Sequence, residues 1–241
     1  MDALYIGASG MLAQNQALSL IADNLANSQS PGYLAEVGTF VAFPNGTVER
    51  TGPVPGILGQ SAAGVALVSG LNTGASDIEP TQNPLDLAIN GPGFFVVRTA
   101  TGLAYTRDGQ FSLDAKGNLV TSRGDFVLDQ AGKPIQLNPD LPVSVNSQGV
   151  VSQNGKVVAT LALTNLSGAN LQAIGDNLYQ GGARLPFTGQ VEQSALNTSN
   201  VNLPEAMVQL IDAQSRYQSL TDLVNEESKR LSTAATLGML T

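Results

Sequence analysis

Apolar residues recur every seven positions at both ends of the chain. Leu4, Met11, Leu18 and Leu25 form one series, and Leu203, Leu210, Tyr217, Val224 and Leu231 form another. A seven-residue repeat keeps its seam on one helix face only where the helix supercoils against a partner. A single stripe of this kind also suits a helix lying on its own globular core. Two stripes at opposite termini point to a helical rod built from both ends, with these nine residues as its assembly interface. The first helix is expected over about Asp2 to Ser28, with small or polar residues (Ala8, Asn15, Ala22) four places after the first three seam positions. It should stop at Pro31-Gly32, because proline lacks a donor and disfavours helix in the residue before it.

The second helix is expected from Leu203 to about Leu237. Asn202 and Glu205 are spaced as a capping box, and Pro204 falls in the first turn, where its missing donor is no loss. Asp212 with Arg216, and Glu226 with Arg230, are four apart with the acid first, the favourable order.

Between the helices the periodicity changes. Turn dipeptides punctuate the chain at Asp108-Gly109, Lys116-Gly117, Arg123-Gly124, Ala131-Gly132 and Asn154-Gly155. Short β-prone runs separate them, and Val157 to Thr164 alternates with Val157, Ala159, Leu161 and Leu163 on one face. This is the pattern of an antiparallel meander, not of a βαβ repeat. Residues 44–80, rich in Gly, Pro, Ser and Thr, read as irregular connections with one or two short strands. The expected fold is therefore α+β. Long N- and C-terminal helices form a coiled-coil-like helical domain from segments 1–35 and 199–241, and an antiparallel β-rich domain occupies 36–198.

Composition narrows the function. Only 12% of residues are charged, against 42% hydrophobic, so little charge must be desolvated when subunits pack. A net charge of −8 argues against nucleic acid, whose binding rests on neutralising phosphates. With no Cys and no His there is no thiol nucleophile, imidazole base or zinc finger. No Lys or Arg precedes Arg50, so the basic start of a cleaved signal peptide is missing, and no apolar run is long enough for membrane insertion.

The remaining chemistry has simpler readings as structure. Asp86, set among Leu85, Leu87 and Ile89, suits a carboxylate accepting backbone hydrogen bonds at a turn. Gly91 and Gly93 flank Pro92 before two Phe residues, which suits a tight turn into a buried strand. Tyr105, Arg107 and Asp108 could form a catalytic cluster, but a hairpin at Asp108-Gly109 accounts for them. Asp222, Glu226 and Glu227 could bind a cation, or simply form a solvated helix face. Asn24 and Asn27 suit capping or interhelical hydrogen bonds. No catalytic, cofactor or metal residue is assigned.

Three motifs, in order, carry a family resemblance. They are GASGMLAQNQALSLIADNLANSQSPGY from Gly7 to Tyr33, NPLDLAINGPGFFVV from Asn83 with YTRDGQF and GNLVTSRGDFVL after it, and ALNTSNVNLPEAMVQLIDAQSRY from Ala195. Together they resemble the flagellar rod and hook family of axial proteins. The opening MDALYIGASGM and the stretch SPGYLAEVGTFVAFP lean toward the proximal-rod branch over the distal-rod branch. Relatives often carry a basic residue just after the Gly-aromatic pair, where this chain has Leu34. The resemblance implies a structural, non-enzymatic subunit of the basal-body rod. Its terminal helices would assemble into the helical shaft that transmits torque across the periplasm. It implies copies of itself and other axial proteins as partners, and type III export without signal cleavage. Two rival readings are a secreted or phage-like fibre protein with a β body, and a glycosidase-like enzyme with two acids converging in a cleft.

Overall fold

A computed structural model of the chain describes residues 2–50, 56–167 and 171–238; the side chains of 2–5, 43–50, 56–63, 231 and 234–238 lie outside the description. The chain divides into two compact units. The first gathers Met1–Leu25, Glu36–Ser69 and Leu203–Thr241, and the second Ala26–Ala35 and Gly70–Asn202.

The first unit holds helix α1 (Asp2–Ala26), strands β1 (Glu36–Arg50) and β2 (Gly56–Leu71), and helix α2 (Leu203–Gly238). β1 and β2 pair as a two-stranded sheet, so much of 44–80 is long regular strand where irregular connections with one or two short strands were expected. The two strands approach closely at Gly38, where an added Cβ would stand 2.8 Å from Leu67 Cδ1. Gly38 leaves the room that this spacing needs, while in β2 the run Gly59-Gln60-Ser61-Ala62-Ala63-Gly64 has low β-propensity and hides that strand in the sequence.

The helices form at both ends, but the expected α+β class with a coiled-coil-like helical domain is not what the chain builds. Strand makes up 40% of the chain, beside two helices, and a long β ribbon shares the unit that contains them. The seam itself explains the difference. A supercoiled seam buries large residues at its repeating positions. Here the buried helix positions are Gly7, Ala13, Gln14, Ala17, Asn24, Ala206 and Ala213, whereas Met11, Leu18, Leu25, Leu210, Tyr217 and Val224 are half-covered.

The second unit is an antiparallel β body. Along the chain it contains β3 (Ile78–Pro80), β4 (Leu87–Asn90), β5 (Phe94–Thr99), β6 (Gly102–Thr106), β7 (Phe111–Leu113), β8 (Leu119–Thr121) and β9 (Phe126–Val127). There follow β10 (Val143–Val145), β11 (Val150–Gln153), β12 (Lys156–Thr160), β13 (Leu163–Leu166) and β14 (Gln172–Gly175). The last are β15 (Leu178–Gln180), β16 (Arg184–Leu185), β17 (Gln190–Gln193) and β18 (Ala195–Asn197). Nine of these strands join one sheet, and β10-β11-β12, β17-β4 and β18-β3 make smaller ones.

The body is organised around β5. Phe94-Phe95-Val96-Val97 is buried along its whole length, as expected of a strand covered on both faces. Phe95 and Val97 enter a core with Leu87, Ile89, Phe111, Leu119, Val127 and Leu161. Phe94 and Val96 enter a second core with Leu34, Tyr105, Leu128 and Tyr179. Leu34 is a core residue, and its amide donates to the Tyr179 hydroxyl at 2.9 Å.

Four of the five turn dipeptides lie at turns. Gly117, Gly124, Gly132 and Gly155 all have positive φ, and Asn154-Gly155 forms a two-residue hairpin loop between Gln153 and Lys156. Asp108-Gly109 does not. The Gly109 carbonyl accepts from Leu87 N at 3.0 Å, and an added Cβ on Gly109 would stand 1.6 Å from the Leu87 carbonyl oxygen. Glycine is required there by close backbone approach, which a dipeptide pattern does not distinguish from a turn. The expected strand from Val157 to Thr164 breaks near Leu161, where the chain passes from one sheet to another, and Val157 at its start is exposed.

Candidate assembly surface

Within the first unit α1 and α2 run antiparallel and meet through small residues. An added Cβ on Gly7 would stand 2.8 Å from Val224 Cγ2, and one on Gly10 would lie 3.8 Å from Leu220 Cδ1. Further along, Gln14 Nε2 donates to the Ala213 carbonyl at 3.2 Å. The far end of α1 is tied to the ribbon: Asn24 Nδ2 donates to the Glu36 carbonyl at 2.7 Å, and Asn24 Oδ1 accepts from the Glu36 amide at 2.9 Å. Asn24 therefore pairs with the first residue of β1 as a neighbouring strand would. Ser9 Oγ accepts from Val65 N at 3.2 Å and ties the same helix to β2.

This packing places the nine seam residues unequally. Met11, Leu18, Leu25, Leu210, Tyr217 and Val224 are half-buried within the unit, and Leu203 is 40% exposed. Leu4 and Leu231 lie on the helices, with side chains outside the described residues.

Next to the covered stripe, α2 carries a second apolar face. Leu203, Met207, Val208 and Ile211 are all exposed there, Val208 and Ile211 at 67% each. The seven-residue reading missed Met207, Val208 and Ile211. The signal was present, since Leu203, Met207 and Ile211 follow one another at intervals of four, one helical face. The charged residues of these turns are Glu205, Asp212 and Arg216, and Asp212 is paired with Arg216 at 2.9 Å. Farther along, Arg230 pairs with Glu227 at 3.5 Å, where Glu226 was expected, and Asp222 accepts from Gln218 Nε2. Among the described residues no group of three or more His, Cys, Asp or Glu is placed to hold a metal ion. Among the described residues no helix is long and apolar enough to cross a membrane.

In the body, the turn residues prove to be points of close contact. The Pro31 carbonyl accepts from Asn177 Nδ2 at 3.0 Å. Gly32 has φ +66°, and an added Cβ would stand 2.3 Å from the Arg107 carbonyl carbon. Asp86 is buried, and its Oδ1 accepts from Asn83 Nδ2 at 2.8 Å, a side-chain donor where backbone donors were expected. Gly91 and Gly93 both have positive φ and lead into β5.

Tyr105, Arg107 and Asp108 do not converge. The Tyr105 hydroxyl accepts from Arg184 Nε at 2.6 Å. Arg107 is buried and donates to the carbonyls of Gly74 at 3.1 Å and Gly91 at 2.5 Å. Burial, partly opposed by the charge of Tyr179, lowers its guanidinium pKa from the usual value. Asp108 Oδ1 accepts from the Gln110 amide at 3.0 Å. Burial, partly opposed by that amide and reinforced by the charge of Asp86, raises the Asp108 carboxyl above the ordinary range. Asp86 is buried and Asp108 half-buried, and each carboxylate is engaged with a residue close by in the chain. A small pocket of the body is lined by Pro84, Leu85, Leu87, Leu119, Leu137, Val143, Val145 and Val151, with no carboxylate among them.

Comparison with known proteins agrees with the motifs. Residues 4–33 match the flagella basal body rod protein family, residues 88–159 the D1 domain of flagellar hook protein FlgE/F/G, and residues 192–237 the C-terminal region of the flagellar basal body rod FlgEFG proteins. The flagellar basal-body rod protein FlgF of Caulobacter vibrioides is 35% identical, over 95% of this chain and 94% of its own length. FlgF of Rhizobium meliloti is 35% identical over 98% and 97% respectively. The basal-body rod protein FlgG of Bacillus subtilis is 32% identical over 96% and 97%.

Proposed function

The chain belongs to the flagellar basal-body rod and hook family, and on that premise we propose that it is a structural subunit of the rod, seated in the shaft through the apolar faces of its terminal helices. The observation that carries this reading is near full-length similarity to rod proteins, joined to the exposed face of Leu203, Met207, Val208 and Ile211. An apolar face of that kind gains most by leaving water against another subunit. Its neighbours in this reading are copies of the chain and other rod and hook proteins. Contacts of this head-to-tail kind propagate into helical assemblies instead of closing on themselves.

Of the seam residues, Met11, Leu18, Leu25, Leu210, Tyr217 and Val224 are partly covered within the subunit, so we assign them the shared border of the same surface. The finer assignment is to the FlgF branch, supported by the 35% identity to two FlgF proteins against 32% to the FlgG named above. Passage through the flagellar type III export machinery, and the absence of catalysis, belong to the same reading and are supported by family membership. The test is removal of the coding sequence, followed by electron microscopy of basal bodies and a swimming assay. Loss of rod and hook, restored by the intact chain, is the expected result. Complete rods without the chain would refute the reading.

A further inference from the structure

The chain passes between its two units four times, after Leu25, Ala35, Ser69 and Asn202. Within the second unit the segments beside three of these crossings are bound into one hydrogen-bonded ring. Asn200 Oδ1 accepts from the Ala35 amide at 2.7 Å, and Asn200 Nδ2 donates to the Asn72 carbonyl at 2.8 Å. The Asn72 amide closes the ring on the Ala35 carbonyl at 2.8 Å.

Further bonds fasten this ring to the body. The Asn200 amide donates to the Tyr33 carbonyl at 3.2 Å, and the Gly32 amide to the Asn197 carbonyl at 2.8 Å. Asn197 is 1% exposed, and its side-chain amide takes both backbone groups of Ile89: Oδ1 accepts from Ile89 N at 2.8 Å and Nδ2 donates to Ile89 O at 2.9 Å. Ile89 lies in β4 within the main core. Arg107 adds a further tie, to the carbonyl of Gly74.

The geometry points to a force-sharing clamp in which Asn200 is the positioning residue. A pull on the segment ending at Ala35, the one starting at Gly70 or the one ending at Asn202 reaches the core through Asn197 and Ile89 together. The primary amide is the group that fits, because one side chain must accept from Ala35 and donate to Asn72 at once. Bonds arranged in a ring must open together before any one segment is drawn out, whereas separate bonds would open one by one. The inference rests on reading the chain as a rod subunit, since a turning shaft loads its subunits through these segments.

Two measurements test it, and the clamp needs both. In Asn200→Ala, the amides of Gly32, Ala35 and Asn72 should exchange with solvent at least ten times faster, all three together, while Phe95 and Val97 of β5 keep their protection. Cells carrying the variant should build flagella and swim in dilute medium, but stall in thickened medium in which the parent still swims. Faster exchange at Ala35 alone, or swimming equal to the parent at every viscosity, overturns the clamp. If Asn200→Ala loses the β signal in circular dichroism, Asn200→Asp replaces it. That variant keeps the acceptor for Ala35 and loses the donor to Asn72, with the same expectations and the same refutations. Removal of the whole chain separates the two readings. Swimming without it refutes the rod assignment, whereas a non-motile deletion beside a viscosity-insensitive Asn200→Ala refutes the clamp alone.

Discussion

Two glycines on one face of α1 should respond oppositely to the same substitution. Glycine in a helix interior costs about 1 kcal/mol relative to alanine, so Gly→Ala is favourable wherever a methyl group fits. At Gly10 it fits: the new Cβ would lie 3.8 Å and 4.0 Å from the two Leu220 methyls, ordinary contact distances. Gly10→Ala should therefore stabilise the first unit by about 1 kcal/mol. At Gly7 the new Cβ would stand 2.8 Å from Val224 Cγ2. A valine methyl is fixed by its branch point and has one favoured rotamer in a helix, so it cannot swing aside. Overpacking of that kind costs roughly 1–3 kcal/mol, which cancels or outweighs the propensity gain.

The two variants should thus differ by about 1–3 kcal/mol in urea unfolding followed by the helical circular dichroism signal. Val224→Ala should remove the difference, giving a coupling energy between positions 7 and 224 in a double-mutant cycle. Equal stabilisation by Gly7→Ala and Gly10→Ala, with no coupling to Val224, would refute the antiparallel packing of α1 on α2.

Other expectations follow from single sites. Ile211→Asp should leave helix and strand signals intact but prevent rod assembly, because the charge would have to enter a desolvated contact at a cost of several kcal/mol; circular dichroism beside a swimming assay checks it. Asp108 binds its proton more tightly in the folded chain, so its contribution to stability is full below the unfolded carboxyl pKa of about 3.9 and is lost as pH rises through its raised folded value. Asp108→Asn should accordingly be more stable than the parent at neutral pH, with the gap closing in acid, as denaturation at a series of pH values would reveal. Gly109→Ala should destabilise the body by on the order of 3 kcal/mol or more, since the methyl group meets the Leu87 carbonyl. Gly132→Ala, open to solvent but at φ +76°, should cost only about 1–2 kcal/mol.

Elements governed by local pattern were legible in the sequence. Both helices lie within a few residues of their expected ends, and the hairpins at Gly117, Gly124, Gly132 and Gly155 lie at their dipeptides. What failed depended on tertiary context. The seven-residue series predicts a coiled-coil seam, but the helices approach at Gly7 and Gly10, glycines that carry no weight in a hydrophobic count. β2 was missed because Gly and Ala fill positions where β-branched residues usually advertise a strand. Gly109 looked like half of a turn because a dipeptide does not show that the Leu87 backbone will lie against it. Asn197 and Asn200 stood inside a recognisable motif, yet nothing local indicates that their amides reach Ile89, Ala35 and Asn72.

Because the chain contains no cysteine, a single introduced thiol reports directly on the proposed surface. Val208→Cys lies on the exposed apolar face of α2, and its reaction with a maleimide can be followed in the isolated subunit and in basal bodies purified from motile cells. The account predicts rapid labelling of the free subunit and strong protection in the assembled rod. Equal labelling in both would contradict the claim that this face is buried when the subunit enters the shaft.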